Sequence, residues 1–227
     1  MRVSIILPTF NERKNLSRLV KKIFAIRPKT ELIIIDDKSP DGTGRLADKL
    51  AKEYPLKVIH RKRRLGLSTA VIEGFKVAKG NIIGVMDADL SHPPELIPSL
   101  IEPIIKNKSD FVIGSRIIKG GSVEVWPFHR KLISRTATLM AKPLTLIKDP
   151  LSGFFFLKRD IINNINFASR GYKICLEIIV KGRYKNIIEV PYIFRTRTVG
   201  ASKLNAKEYF NYFIDWVNLI KYVLRRK

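Results

Sequence analysis

Short runs rich in Ile, Val and Leu recur through the first half of the chain, at residues 3–7, 32–35, 57–59, 82–86 and 111–114. Between them the apolar residues fall at helical spacing. This predicts helices over 11–26, opened by Asn11-Glu12, over 41–54, capped by Asp41, and over 67–78 and 93–106. Unbroken apolar strands alternating with helices predict an α/β fold: a mainly parallel sheet with helices on both faces. In such a sheet ligands bind beyond the carboxyl ends of the strands. The polar clusters fall there: Thr9-Phe10-Asn11-Glu12, Asp36-Asp37, and Asp87 with Asp89.

After about residue 116 the rhythm loosens. The pattern predicts helices over 130–147 and 172–181, strands over 153–157 and 187–194, a short helix ending near 165, and a final helix over 207–226. With no repeat, low-complexity tract or long linker, the economical division is one domain over 1–205 and a C-terminal amphipathic helix over 206–227.

Charge changes the picture. Forty-three Lys and Arg against 20 Asp and Glu give a formal +23, a field that favours nucleic acid, an acidic membrane surface or a phosphorylated substrate. A nucleic-acid-binding protein would use the same charge. The chain, however, has no zinc spacing, RNP motif or aromatic-basic interleaving, and acids at three strand ends repel phosphates unless a metal intervenes. The single cysteine, Cys175, excludes an intramolecular disulfide and predicts a reducing, cytosol-facing location. The opening MRVSIILPTFNE turns polar too early for a signal peptide. No run reaches the roughly 18 apolar residues of a membrane span, so a soluble or surface-bound protein is expected.

Two acid clusters carry candidate chemistry. Asp87 and Asp89 read either as solvated carboxylates, with Asp89 or Ser91 capping the next helix, or as a site for Mg²⁺ or Mn²⁺. Acids at i and i+2 share a face, and such a hard cation completes its shell with substrate phosphates. In Asp36-Asp37-Lys38-Ser39-Pro40-Asp41-Gly42-Thr43, the last five residues are a turn and helix cap. The paired acids before them are suited to accept from a base N–H edge or a ribose hydroxyl. Neither a G-x-G-x-x-G nor a P-loop pattern occurs.

The ordered set ILPTFNE, IIIDDKSPDGTG, RLGLSTAVIEGF, VMDADLSHPPE, IGSR, DPLSGFFFLKRDII and FRTRTVGASKL resembles family 2 glycosyltransferases of the GT-A fold. Within them it is most similar to the polyprenyl (dolichyl) phosphate mannose synthases, on the SHPPE extension and the GASKL segment, over residues 1–205. The resemblance implies a nucleotide-sugar donor, GDP-mannose, with Pro8, Phe10 and Glu12 lining its pocket and Ile35 and Asp37 at the base or ribose. It also implies that Asp87, Ala88 and Asp89 hold the metal and diphosphate, with Ser91 a supporting metal or phosphate contact. Arg197 and Lys203 match positions over the donor diphosphate. Arg116, Arg130 and Ser134 match those that take the acceptor phosphate, for which guanidinium forks are well shaped.

The mechanism so implied is in-line attack of a phosphate oxygen on the anomeric carbon, releasing GDP with inversion. A phosphate monoester has a second pKa of about 6, so it needs no general base at neutral pH; Asp149 and Glu177 stay open as bases. Rival readings are a UDP-glucose-dependent glucosyltransferase and a nucleotidyltransferase or sugar-phosphate hydrolase. The acceptor lipid implies peripheral association with the cytosolic face of a membrane, and relatives use added spanning helices or a small membrane-spanning partner subunit. In the last helix Phe210, Phe213, Ile214, Val217, Ile220 and Leu224 recur at helical spacing. They read either as a face packed on the core or as an interfacial face, with Tyr212, Trp216 and Tyr222 at headgroup level. The basic run at 61–64 reads as a solvated loop or a lipid contact.

Overall fold

The computed structural model describes residues 1–169, 171, 173–196 and 206–226. The first half alternates as the pattern predicts: β1 (Val3–Thr9), α1 (Arg13–Ile26), β2 (Glu31–Asp36), α2 (Thr43–Leu50), β3 (Leu56–His60), α3 (Leu67–Val77), β4 (Ile82–Val85), α4 (Ile97–Ile105) and β5 (Phe111–Ser115). Then follow β6 (Ser122–Val123), α5 (Phe128–Ala141), β7 (Phe155–Lys158), α6 (Ile174–Lys181), β8 (Ile187–Pro191), β9 (Ile193–Phe194) and α7 (Ala206–Arg226).

Seven strands form one sheet in the order β3-β2-β1-β4-β7-β5-β8. All neighbours are parallel except β7, which runs antiparallel to both β4 and β5. Its apolar run carries no sign of that direction, because both of its faces are covered. Phe154 and Phe156 enter the core layer that includes Leu16, Leu19 and Ile23 of α1 and Leu100 of α4. Phe155 and Leu157 enter the opposite layer with Val71 and Phe75 of α3 and Ile178 of α6. The two-residue alternation of a strand thus feeds two cores at once.

Four elements of the second half depart from the sequence expectations. The helix expected over 130–147 ends at Ala141, because Pro143 has no N–H to donate back into it. The short helix expected before residue 165 is one 3-10 turn, Arg159–Ile161. The strand expected over 187–194 breaks at Tyr192, whose N–H donates to Ser115 O and whose carbonyl accepts from Ser122 N–H. The chain there leaves the main sheet, and β9 pairs in parallel with β6, a strand too short for the pattern to reveal. The helix expected from Tyr172 starts at Ile174, and Tyr172 lies outside the described residues.

Helix α7 packs on the rest of the molecule through Tyr212 and Leu219 rather than through its phenylalanines. Tyr212 and Leu219 are buried against Ala137, Met140, Ala141 and Leu176. Asp215 is buried and accepts from Gly171 N–H. Tyr212 and Trp216 are not free for a headgroup layer: they donate to Ala137 O and Met140 O of α5 at 2.7 and 2.5 Å. Phe210, Phe213, Ile214 and Leu224 are exposed.

In the middle of the sheet Gly84 of β4 lies directly opposite Phe156 of β7. A β-carbon at Gly84 would stand 2.1 Å from the Phe156 ring, so the ring occupies the volume of the missing side chain. Gly84→Ala is expected to cost about 1–3 kcal/mol by overpacking, read as a lower urea midpoint, and Gly84→Ala/Phe156→Leu to recover part of that loss.

Candidate active site

One cleft opens beyond the carboxyl ends of β1, β2, β4 and β5, and residues from all four ends line it. At the β1 end are Pro8, Phe10 and Glu12. Asn11, at φ 56°, turns the chain there, and Glu12 is fixed by its N–H to Thr43 Oγ1 and by Asn15 Nδ2 donating to its carboxylate. The two acids after β2 divide their work. Asp36 is internal, accepting from Thr9 Oγ1, Ser39 N–H and Ser39 Oγ.

Asp37 reaches the cleft, but its carboxylate is already filled. It accepts from Arg61 Nη1 at 3.0 Å and from the backbone N–H groups of Leu65 and Gly66. Gly66 takes φ 95°, a conformation open chiefly to glycine, to bring its N–H there. The basic run at 61–64 is a loop with Lys62, Arg63 and Arg64 exposed, but Arg61 is buried between Asp37 and Glu73, and Arg64 lies 4.2 Å over the Phe10 ring at the rim of the cleft.

Asp87 and Asp89 sit at the end of β4 in a tight turn. Leu90 at φ 66° is a strained choice for a side chain branched at Cγ, the kind of outlier that persists where surroundings enforce it. That turn returns Ser91 to Asp89, whose Oδ1 accepts from both Ser91 N–H and Ser91 Oγ. It also returns His92 to Asp87. The Asp87 N–H donates to His92 Nδ1 at 2.9 Å, so the ring proton sits on Nε2, 3.8 Å from Asp87 Oδ2. Burial lowers the His92 pKa and keeps the imidazole neutral, stacked 5.0 Å from Phe154.

Does this turn suit a divalent cation? Among the described residues no group of three or more His, Cys, Asp or Glu could hold a metal by itself. Two carboxylates with a hydroxyl beside them are an all-oxygen set of the kind Mg²⁺ and Mn²⁺ use together with water and phosphate oxygens. The donor set fits.

The far half of the cleft is basic. Arg116, following β5, meets Asp149 with Nε at 2.8 Å, Nη2 at 2.7 Å and its backbone N–H at 2.9 Å. Asp149 is fully buried. Burial by itself would raise its carboxyl, but the Arg116 charge and hydrogen bonds more than offset that and hold it below the usual range. The backbone N–H groups of Lys148 and Asp149 are both tied to Glu189 of β8. Arg130 and Ser134, one turn apart on α5, complete this half with Trp126 and Lys173. Burial, then Arg116, push the Lys173 amine down to about 7.

With the geometry in view, comparison with known proteins is decisive. The model of glycosyl transferase family 2 matches residues 4–165. The chain belongs to glycosyl transferase family 2. The transferase is 48% identical to the dolichol-phosphate mannosyltransferase of Pyrococcus furiosus over 98% of this chain, and spans 64% of that relative's length. It is 41% identical to the Saccharomyces cerevisiae dolichol-phosphate mannosyltransferase, over 92% of this chain and 83% of the relative. With the polyprenol monophosphomannose synthase of Mycolicibacterium smegmatis it shares 36%, over 90% and 81%. Its fold is that of glucosyl-3-phosphoglycerate synthase from Mycobacterium tuberculosis, a GT-A enzyme, at TM-score 0.68 and 19% identity over 95% of this chain and 80% of the other. That enzyme has been solved with Mn²⁺ and UDP-glucose.

Of the site residues expected from the sequence, Pro8, Phe10, Glu12, Asp37, Asp87, Ala88, Asp89, Arg116, Arg130 and Ser134 all line this one cleft of the transferase. Ile35 does not: its side chain is fully buried in the core layer with Ile6 and Ile33. Ser91 is also fully buried, its hydroxyl turned onto Asp89. Arg197 and Lys203 lie outside the described residues. Neither candidate base serves. Asp149 is spent on Arg116, and Glu177 is buried on α6, accepting from Ala168 N–H, Ser169 N–H and Lys181. Arg64, His92, Trp126 and Lys173 were missed as site residues; Arg64, which opens RLGLSTAVIEGF, and His92, inside the SHPPE extension, stood in segments that the resemblance marks.

Asp149→Ala, which strands a buried guanidinium, is expected to cost about 3–5 kcal/mol in urea denaturation at neutral pH. The folded carboxyl titrates below its ordinary 3.8. Its contribution is therefore complete above that value and lost as the pH falls through the depressed one. The stability gap between wild type and Asp149→Asn should close only under such acid conditions.

Proposed function

We propose that the transferase moves mannose from GDP-mannose to a polyprenyl (dolichyl) phosphate, with inversion at the anomeric carbon. The observation that carries this reading is the division of one cleft into an acidic end, Asp87 and Asp89, and a basic end, Arg116 and Arg130 with Ser134. The names of the relatives support the same pair of substrates. A nucleotide diphosphate suits the acidic end when Mg²⁺ or Mn²⁺ is bound, and the metal then supplies Lewis-acid stabilisation of the leaving group. The phosphate monoester suits the basic end, where two guanidinium groups and a hydroxyl offer donors.

This chain's residues then have distinct tasks. Asp89 is oriented by Ser91, and Asp87 by His92. Arg116, fixed by Asp149, orients one face of the acceptor phosphate, and Arg130 and Ser134 hold another. The acceptor oxygen is already ionised at neutral pH, which agrees with the engagement of Asp149 and Glu177 elsewhere. Arg197 and Lys203 are assigned to the donor diphosphate on the resemblance alone. Phe10 and the Asp37-anchored loop are assigned to the base; a base that bonds Asp37 must replace one of its present donors.

The reading puts the protein at the cytosolic face of a membrane, on an anionic lipid surface. Among the described residues no helix is long and apolar enough to cross one. Support comes from the apolar residues that α5 and α7 turn outward, among them Phe128 at 79% and Phe210 at 64% exposure. Lys131, Arg135, Lys142, Lys221 and Arg225 are exposed on the same helices and their flank, a mixture suited to acidic headgroups.

Radiolabelled GDP-mannose or UDP-glucose, incubated with a polyprenyl phosphate and Mg²⁺ and followed by lipid extraction, tests the chemistry. Labelled lipid is expected from GDP-mannose and is expected to vanish in Asp89→Ala; full activity in that variant overturns the metal assignment. Sedimentation with vesicles containing phosphatidylserine tests the surface. Phe210→Ser/Phe213→Ser/Leu224→Ser is expected to stay in the supernatant with an unchanged melting temperature. Equal binding by both proteins, or binding only with a small membrane-spanning subunit present, counts against the lipid face.

A further inference from the structure

Two arginines at the basic end come from different elements, and one ring meets both. The Arg130 guanidinium lies 4.3 Å from the centre of the Trp126 ring, and that of Arg116 lies 5.7 Å from it. Trp126 lies between β6 and α5 and lines the cleft beside them. It is itself fixed edge-on against Phe194 of β9 at 5.5 Å. Phe194 in turn packs edge-on against His92, the residue that holds the Asp87 N–H. A continuous aromatic path therefore joins the groups assigned to the acceptor with the turn assigned to the donor.

We propose that Trp126 is a positioning residue for the acceptor phosphate: its ring holds the Arg116 and Arg130 guanidinium groups together as one cradle, in register with the Asp87–Asp89 turn. The inference rests on the acceptor being a phosphate, not on which sugar is moved. Arg116 has Asp149 to orient it, through two side-chain bonds. Arg130 stands on the first turn of α5 with its guanidinium over the Trp126 ring, and a flat partner of this kind limits its rotamers. An aromatic face does this without neutralising charge, as a carboxylate would, and leaves the cation able to pair with phosphate. Two cations brought toward one site repel each other. A ring whose negative face meets each of them reduces that cost before the phosphate arrives.

The chain has two tryptophans, so Trp216→Phe leaves Trp126 as the one reporter in the cleft. In that protein, with no donor present, farnesyl phosphate is expected to change the tryptophan emission saturably and farnesol to leave it unchanged. In steady state Trp126→Leu is expected to raise the KM for the acceptor about tenfold, equivalent to about 1.4 kcal/mol, and to leave that for GDP-mannose unchanged. Trp126→Phe, which keeps an aromatic face, should retain most of the acceptor affinity. In Trp126→Leu/Arg130→Lys the two losses should be less than additive.

Emission that ignores the phosphate, a wild-type acceptor KM in Trp126→Leu, or equal rises in both KM values overturn the proposal, as does an acceptor KM in Trp126→Phe no better than in the leucine variant. The emission titration requires no transfer. A chain that moved a different sugar would still give the phosphate-dependent signal, whereas silence alongside full mannosyl transfer would remove the role of Trp126 alone.

Discussion

Arg116 follows the end of β5 and is gripped by Asp149 through two parallel side-chain bonds and one backbone bond. Two parallel bonds fix the plane of a guanidinium as well as its position, and Nη1 takes no part in the grip. Asp149 cannot swing away, because its own N–H and that of Lys148 are tied to Glu189 on β8. The basic half of the cleft therefore takes its geometry from the last strand of the sheet. A buried ion pair is a poor source of net stability, since desolvation consumes most of the Coulombic gain. Its use here is orientation. Without Asp149 the Arg116 guanidinium would lose its fixed plane, and a second cation, Arg130, would have no fixed partner to complete a site with.

The acids show the complementary logic. A chain of formal charge +23 has few carboxylates to spare, yet Glu12, Asp37, Asp87 and Asp89 all line one cleft. Asp37 is saturated by Arg61 and two backbone N–H groups. Its charge holds the 61–66 loop and, through it, the rim that carries Arg64 over Phe10. Asp87 and Asp89 are held mainly from behind: the contacts that orient them come from a histidine accepting a backbone N–H and from a serine on the next turn. The difference lies in the partners. Cationic and backbone donors fill Asp37 and make it architectural. Asp87 and Asp89 instead line the cleft from a turn built by a histidine and a serine, the place where the proposed reading seats a cation.

How much of this was legible beforehand follows from the range of the interactions. The strand ends were legible because an unbroken apolar run that stops at an acid records burial and its end within a few adjacent residues. Gathering ten expected residues into one cleft follows from that rule, since parallel strands deliver their carboxyl ends to the same edge. The reversal of β7 left no trace, because a strand covered on both faces is apolar in either direction. The pairing of Asp149 with Arg116 spans 33 positions, and neither residue's neighbours encode it. Trp126 and Lys173 were hidden for the same reason. The assignment of Ile35 failed on side-chain direction: a residue inside a strand points into a core layer even when its neighbour two places on faces the cleft.

Under the proposed reading, helix α5 is where a donor held at strand ends meets an acceptor whose tail is insoluble in water. Arg130, Ser134, Ala137 and Ala141 recur at spacings of four, three and four; the first three line the cleft, and Ala141 is buried behind them. Phe128, Leu132 and Leu139 follow an adjacent stripe and are exposed. One helix thus presents a guanidinium and a hydroxyl to the cleft and apolar side chains to the outside. Helix α7 braces it with hydrogen bonds from Tyr212 and Trp216 to backbone carbonyls and turns its own phenylalanines outward. A helix pair surrounded by water alone would bury those phenylalanines. Their exposure makes sense if the outward face meets lipid. An acceptor phosphate then travels only the width of α5, from the headgroup layer to Arg130 and Ser134, and its prenyl chain need not leave an apolar environment.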